Sequence, residues 1–175
     1  MHRPLHGLLA VLTVSAIVVS LACVDATHDE QVAALGPEDP GVPTGPTHRP
    51  GQPCLVCHGS SGPASQQFSV AGTVVAVRSQ SAPAPGVTVQ IEDINDSIFT
   101  ATTNSAGNFY VPFDQWQPTY PTQMQVSRGA LSQQMNTHVG RDGSCAGCHT
   151  EPEGPTSPGA VYLALTPSGL PEGGL

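Results

Sequence analysis

Residues 86–93 read GVTVQIED. Val87, Val89 and Ile91 alternate with Thr88, Gln90 and Glu92, the period-two mark of a strand with one apolar and one wet face. Outward from it, VAGTVVAVR (70–78) is β-branched and short, and SAPAPG (81–86) is a turn or loop signal. DIND (93–96) punctuates the chain before IFTATT (98–103), and NSAG (104–107) reads as a tight turn before NFYVP (108–112). Residues 124–128 and AVYLALT (160–166) are further strand candidates. No stretch reads as a helix longer than two turns. Several short strands with regular turns predict a mainly β fold, a small antiparallel β-sandwich with irregular segments on either side of its strands.

The chain has 175 residues, enough for one domain with tails. Only 10% are charged, against roughly a quarter in an ordinary soluble domain. The formal charge is -8 and there is no lysine. That excludes the basic surface a nucleic-acid binder needs to neutralise phosphate, and equally a charge-driven dock on anionic lipid. Aromatic residues are 5%, so the protein's own core is poor in large apolar side chains. A compact fold then calls for apolar surface from another source.

Residues 1–22 read as an export signal. MHRPLHG (1–7) carries Arg3, and LLAVLTVSAIVVSLA (8–22) is apolar with small residues at its end. The run is short of the ~20 residues of a comfortable membrane span. Cys23 follows in SLAC (20–23), which resembles a bacterial lipobox, although Ser20 departs from the usual Leu. The resemblance implies a lipidated Cys23 and a membrane anchor at the periplasmic face, the outer membrane or the cell surface. Cleavage after Ala22 or Ala26 without lipid is the competing reading, and it too exports the protein. Residues 23–47 then form an acidic, Pro- and Gly-rich tether. As a flexible coil it would reach roughly 25–30 Å root-mean-square. Residues 48–166 are the folded domain and 167–175 a second disordered candidate.

The strand-rich middle, with GTV at 72–74, GVTVQIED at 86–93 and TTNSAGNFYVP at 102–112, resembles the carboxypeptidase regulatory-like (transthyretin-like) β-sandwich. The resemblance covers residues 69–130. It implies a structural or binding module without a catalytic centre.

The chemistry lies in two short motifs, CLVCH at 54–58 and CAGCH at 145–149. Each is C-x-x-C-H, the attachment signature of c-type haem. Two thiols two residues apart reach both vinyl groups on one edge of a porphyrin, and the next residue, a histidine, is placed over the ring as an iron ligand. Histidine is 7 of 175 residues, so chance would put it after both pairs roughly once in 600. Cys54, Cys57, Cys145 and Cys148 together with Cys23 account for all five cysteines. Two rival readings stay open. One zinc could take four cysteines, but zinc ribbons space their pairs about 15–20 residues apart, and 87 residues separate Cys57 from Cys145. Two disulfides are permitted in an exported protein. Neither rival uses His58 or His149.

With both motifs the chain resembles small dihaem members of the multihaem c-type cytochromes. The resemblance implies thioethers at Cys54, Cys57, Cys145 and Cys148, with His58 and His149 as proximal ligands. On the far side of each iron, His48 stands six residues before Cys54 and His138 seven before Cys145. The repeated placement makes bis-histidine ligation the expectation. Spacing leaves open whether each serves its neighbouring haem or the other one. Met135 is an alternative sixth ligand near His138. Met124 falls in a strand pattern and reads as core, and His28 lies in the tether. Trp116 and Tyr120 are expected to pack against the sandwich or a haem face. Glu92, Asp93 and Asp96 could bind Ca²⁺, though such a run is more often a solvated hairpin.

The expected function is electron transfer by two covalent haems, without catalysis. Other cytochromes or redox proteins are the partners, and an acidic surface suits a basic patch on them. The alternatives are a haem enzyme or sensor with one open iron, and a structural surface lipoprotein.

Overall fold

In the computed structural model, residues 25–78 and 80–170 are described. The export signal, Cys23, His2, His6 and the last five residues of the tail lie outside them. Strand β2 (Thr88–Glu92) shows the alternation read from its sequence, with Val89 and Ile91 buried and Thr88, Gln90 and Glu92 half-buried. It is flanked by β3 (Ile98–Thr102) and β5 (Gln123–Arg128), and β5 continues into β6 (Leu131–Gln134), giving the order β3-β2-β5-β6. Register places Ile91 beside Phe99 and Met124, and Val89 beside Ala101 and Val126. Two apolar rows therefore run across one face of this sheet.

The second sheet has the order β4-β1-β7, built from β1 (Phe68–Val77), β4 (Asn108–Pro112) and β7 (Val161–Ala164). Val70, Val74, Phe109, Val111 and Leu163 of this sheet meet Val89, Ile91, Met124 and Val126 of the other in one core. The architecture is the mainly β sandwich expected. Four of the described strand pairs are antiparallel, and one, β1–β7, is parallel. The chain returns to β1 from far away through the second cysteine motif, a long crossover that a parallel pair requires. Strand β6, LSQQ, carries no period-two apolar signal and was not expected; pairing with β5 makes it a strand.

Two turns place the core. Asn104 Oδ1 accepts from the amides of Ala106 and Asn108 at 2.9 and 3.1 Å, and Gly107 takes φ +76°. A Cβ at Gly107 would run into the carbonyl of Val74, so only glycine lets this turn, which carries the chain from one sheet to the other, close against β1. In the DIND turn, Asp93 Oδ1 accepts from the amides of Asn95 and Ser97, and Oδ2 from Thr119. These bonds, that from Thr119 first, hold the Asp93 carboxyl below its usual range. The carboxylate, buried in the fold, is thus an organiser of the turn. Trp116 stacks on Phe99 at 5.5 Å, and Met124 lies in the core, as expected.

The segment read as a structureless tether differs from that expectation. Helix α1 (Ala26–Ala34) spans nine residues, beyond the two turns that the sequence suggested. Asp25 caps it by accepting from the amide of His28 at 3.1 Å. At its far end the Arg49 guanidinium donates to the carbonyls of Leu35 and Gly36 at 3.0 and 2.6 Å, satisfying acceptors that a helix end leaves free. A cation thirteen or more residues away supplies what the local composition lacks. Among the described residues no helix is long and apolar enough to cross a membrane.

Candidate functional site

Strand β1 is buried almost throughout, without strict alternation, because both of its faces are covered. Its core face carries Val70, Gly72 and Val74. Its opposite face carries Thr73, paired with Asn108, and Ala71, paired with Tyr110. The two cysteine motifs sit on either side of this strand.

The first motif forms helix α2 (Cys54–His58). One helical turn puts Cys54 and Cys57 on the same side, three residues apart. The approach to α2 is fastened to β1 and β4 by side chains. Thr73 Oγ1 accepts from the amide of Gly51 at 2.8 Å and donates to Asn108 Oδ1 at 2.7 Å, while Asn108 Nδ2 donates to the carbonyl of His48 at 2.9 Å. The His58 ring stacks on Phe68 at 4.4 Å, and Phe68 stacks in turn on Tyr110 at 4.6 Å. The His48 ring stands 5.8 Å from that of His58, tilted by 50°. His48 is thereby brought to the motif nearest it in sequence.

The second motif is a 3-10 turn (Cys145–Gly147) closing the end of the sandwich. Cys145 packs over the core face of β1 at Gly72: a Cβ there would lie 2.6 Å from the Cys145 sulfur. Gly72 is glycine because the thiol occupies its side-chain space. Burial pushes the Cys145 thiol up to about 12, with the nearby Cys54 and Asp142 adding to the effect. Burial likewise raises Cys54. Beside Cys145 opens a cavity of about 850 Å³, within the roughly 300–1,000 Å³ typical of pockets for small organic ligands. Val89, Phe109, Met124 and Val126 form its apolar floor, and Cys148, His149, His138 and Met135 also line it. His138 itself is exposed. The half-buried Tyr120 has its hydroxyl pKa raised by burial and by the proximity of Asp142 and Cys145.

The two motif histidines share one feature that spacing could not reveal. Nδ1 of His58 lies 2.7 Å from the carbonyl of Gln66, and Nδ1 of His149 lies 2.9 Å from the carbonyl of Gly159. A carbonyl only accepts, so each Nδ1 carries the proton and each Nε2 keeps its lone pair free. A metal-binding histidine is oriented in this way. Gly159 is in turn positioned by buried Ser157, whose Oγ accepts from the amides of Thr150 and Gly159 and donates to the carbonyl of Thr150. Gln66, Ser157 and Gly159 were missed in the sequence. Two of them act through main-chain carbonyls, which every residue possesses.

The alternatives fare differently. The four described cysteines are free thiols, and no disulfide joins either pair. Among the described residues no three His, Cys, Asp or Glu side chains converge as a metal-holding group, so the geometry offers no four-cysteine zinc site. Neither finding bears on a haem iron, which takes its equatorial ligands from the porphyrin. Searches against family models, curated proteins and solved structures found no match for this chain.

Proposed function

We propose that the chain is a dihaem c-type electron-transfer protein, exported and anchored by a lipid on Cys23. One observation carries the reading. Two C-x-x-C-H turns flank one strand, and in both the histidine holds its Nδ1 proton on a main-chain carbonyl, leaving Nε2 directed by the fold. The residues fit two covalent haems. Cys54 and Cys57 would hold the first and Cys145 and Cys148 the second, with His58 and His149 as proximal ligands. His48 beside His58, and His138 with Met135 around the cavity beside Cys145, are the sixth ligands that proximity favours. The cavity's apolar floor is an interior wall that this aromatic-poor core leaves for a large apolar group.

Bound haem iron supplies a one-electron Fe(III)/Fe(II) couple. The chain's own part is to orient imidazoles, exclude water and set the distance between the two sites through β1. The partner is another redox protein, and the acidic surface favours one with a basic patch. A second reading, a haem sensor or enzyme with one open iron, draws on the exposure of His138.

The test is the intact mass and reduced-minus-oxidised spectrum of the mature protein, produced in a periplasm equipped for haem attachment. Two added haems with a low-spin c-type spectrum unchanged by CO are expected. A CO-sensitive haem favours the second reading, and a haem-free mass sinks both.

A further inference from the structure

The segment between α1 and α2 holds a knot of side chains that its composition does not announce. Arg49 takes a left-handed backbone, φ 48°, and folds back over the end of α1. Its Nη1 also donates to Gln52 Oε1 at 2.8 Å, and its Nε donates to Glu38 Oε1 at 3.1 Å. The same Glu38 oxygen stands 3.4 Å from Nδ1 of His48, at ion-pair distance though outside hydrogen-bond alignment. That Nδ1 is buried and has no hydrogen-bond partner. The main chain of His48 is pinned to β4 through Asn108, and its ring faces His58 at 5.8 Å. The imidazole therefore lies between a carboxylate and the histidine of the first motif.

We propose that Glu38 is a positioning residue of the first haem, accepting a hydrogen bond from Nδ1 of His48, presenting Nε2 to the iron beside His58 and lowering the midpoint of that haem. The inference rests on the dihaem reading above. A carboxylate behind a ligating imidazole makes the ligand more basic and favours the more positive, ferric state. His58 and His149 are backed by neutral carbonyls instead, and among the described residues no carboxylate pairs with the rings of His58, His138 or His149. Arg49 shares the Glu38 oxygen and fixes its place, so the three residues form one device. The segment from residue 35 to 52 is then part of the first site as well as a connection to the membrane.

The haem-loaded full chain is compared as E38Q and D39N, which remove the same charge one residue apart. Each is followed by potentiometric titration and by the ferric low-spin signal in electron paramagnetic resonance. E38Q is expected to shift one midpoint upward by about tenfold in ferric-to-ferrous ratio, ~59 mV for one electron. The same variant should alter one ferric signal, while the other haem and D39N keep theirs. Equal shifts in the two variants would reduce the effect to through-space charge and overturn the proposal, as would no shift in E38Q. If E38Q fails to load both haems, E38D keeps the charge and shortens its reach. An upward shift in E38D supports the proposal and a wild-type midpoint overturns it. A haem-free wild-type mass overturns the dihaem reading together with this inference, and is seen before any variant is made.

Discussion

The two cysteine–histidine motifs share a spacing and rest on different ground. CLVCH is a helical turn on the outer face of β1, tied down by Thr73 and Asn108 and backed by a stack of Phe68 and Tyr110. CAGCH is a 3-10 turn that plugs the sandwich, with its first thiol in the side-chain space of Gly72 and a cavity at its flank. Both anchor the histidine in the same way, by Nδ1 on a carbonyl. The difference lies across from that histidine. The first motif faces a half-buried His48 with a carboxylate behind it, and the second shares its cavity with an exposed His138 and with Met135. In neither motif do the five residues suffice: the carbonyls that hold the two histidines belong to Gln66 and Gly159, outside the motifs.

The strongest way to break the comparison is Gly72→Val. Its added methyls meet the Cys145 sulfur and Phe109, so the second motif is expected to lose its seat and its haem. The first motif, on the opposite face, should keep its own. Urea unfolding should show a loss of about 1–3 kcal/mol, the usual cost of overpacking a filled core, and intact mass should report one haem instead of two.

A smaller and more selective effect separates the distal sides. His48→Ala is expected to open the first iron to CO, because among the described residues only the His48 ring stands beside that of His58 as a candidate ligand. His138→Ala is expected to leave the second iron closed, with Met135 replacing the imidazole and raising the potential. Only the double change of His138 and Met135 to Ala should open it. CO difference spectra distinguish these outcomes, and a CO response in the single His138 variant would show that Met135 does not reach.

The mildest effect concerns the thiols before attachment. Cys145 ionises near 12 in the folded chain and near its ordinary 9.0 when unfolded. Its folded value is raised, so its contribution to stability is fully present below pH 9 and is lost as pH rises toward 12. The haem-free chain should therefore weaken in alkali, and a thioether at Cys145 should abolish that part of the loss. At pH 8, iodoacetamide should label exposed Cys148 well before Cys145, and peptide mass spectrometry would read the order.

Much of the frame was legible because its causes are local. The alternation of residues 87–92, the Asn104 turn and the C-x-x-C-H spacing each act within a few residues. Strand β6 was not legible, since LSQQ becomes a strand only by pairing with β5. Nor was α1, whose C-terminal end is satisfied by Arg49, or the parallel β1–β7 pair. The anchors of the two histidines were hidden for a further reason: carbonyl oxygens of Gln66 and Gly159 have no letter of their own in a sequence.

By itself, then, the sequence determined the strands of the sandwich other than β6, the two thiol pairs and the histidines attached to them, because period and spacing are short-range properties. Only the tertiary structure decided that the motifs flank one strand, that His48 meets His58 and that Glu38 meets His48. Those meetings depend on hydrogen bonds and packing between residues tens of positions apart, such as Asn108 on the carbonyl of His48 and Cys145 over Gly72, and no local pattern encodes them.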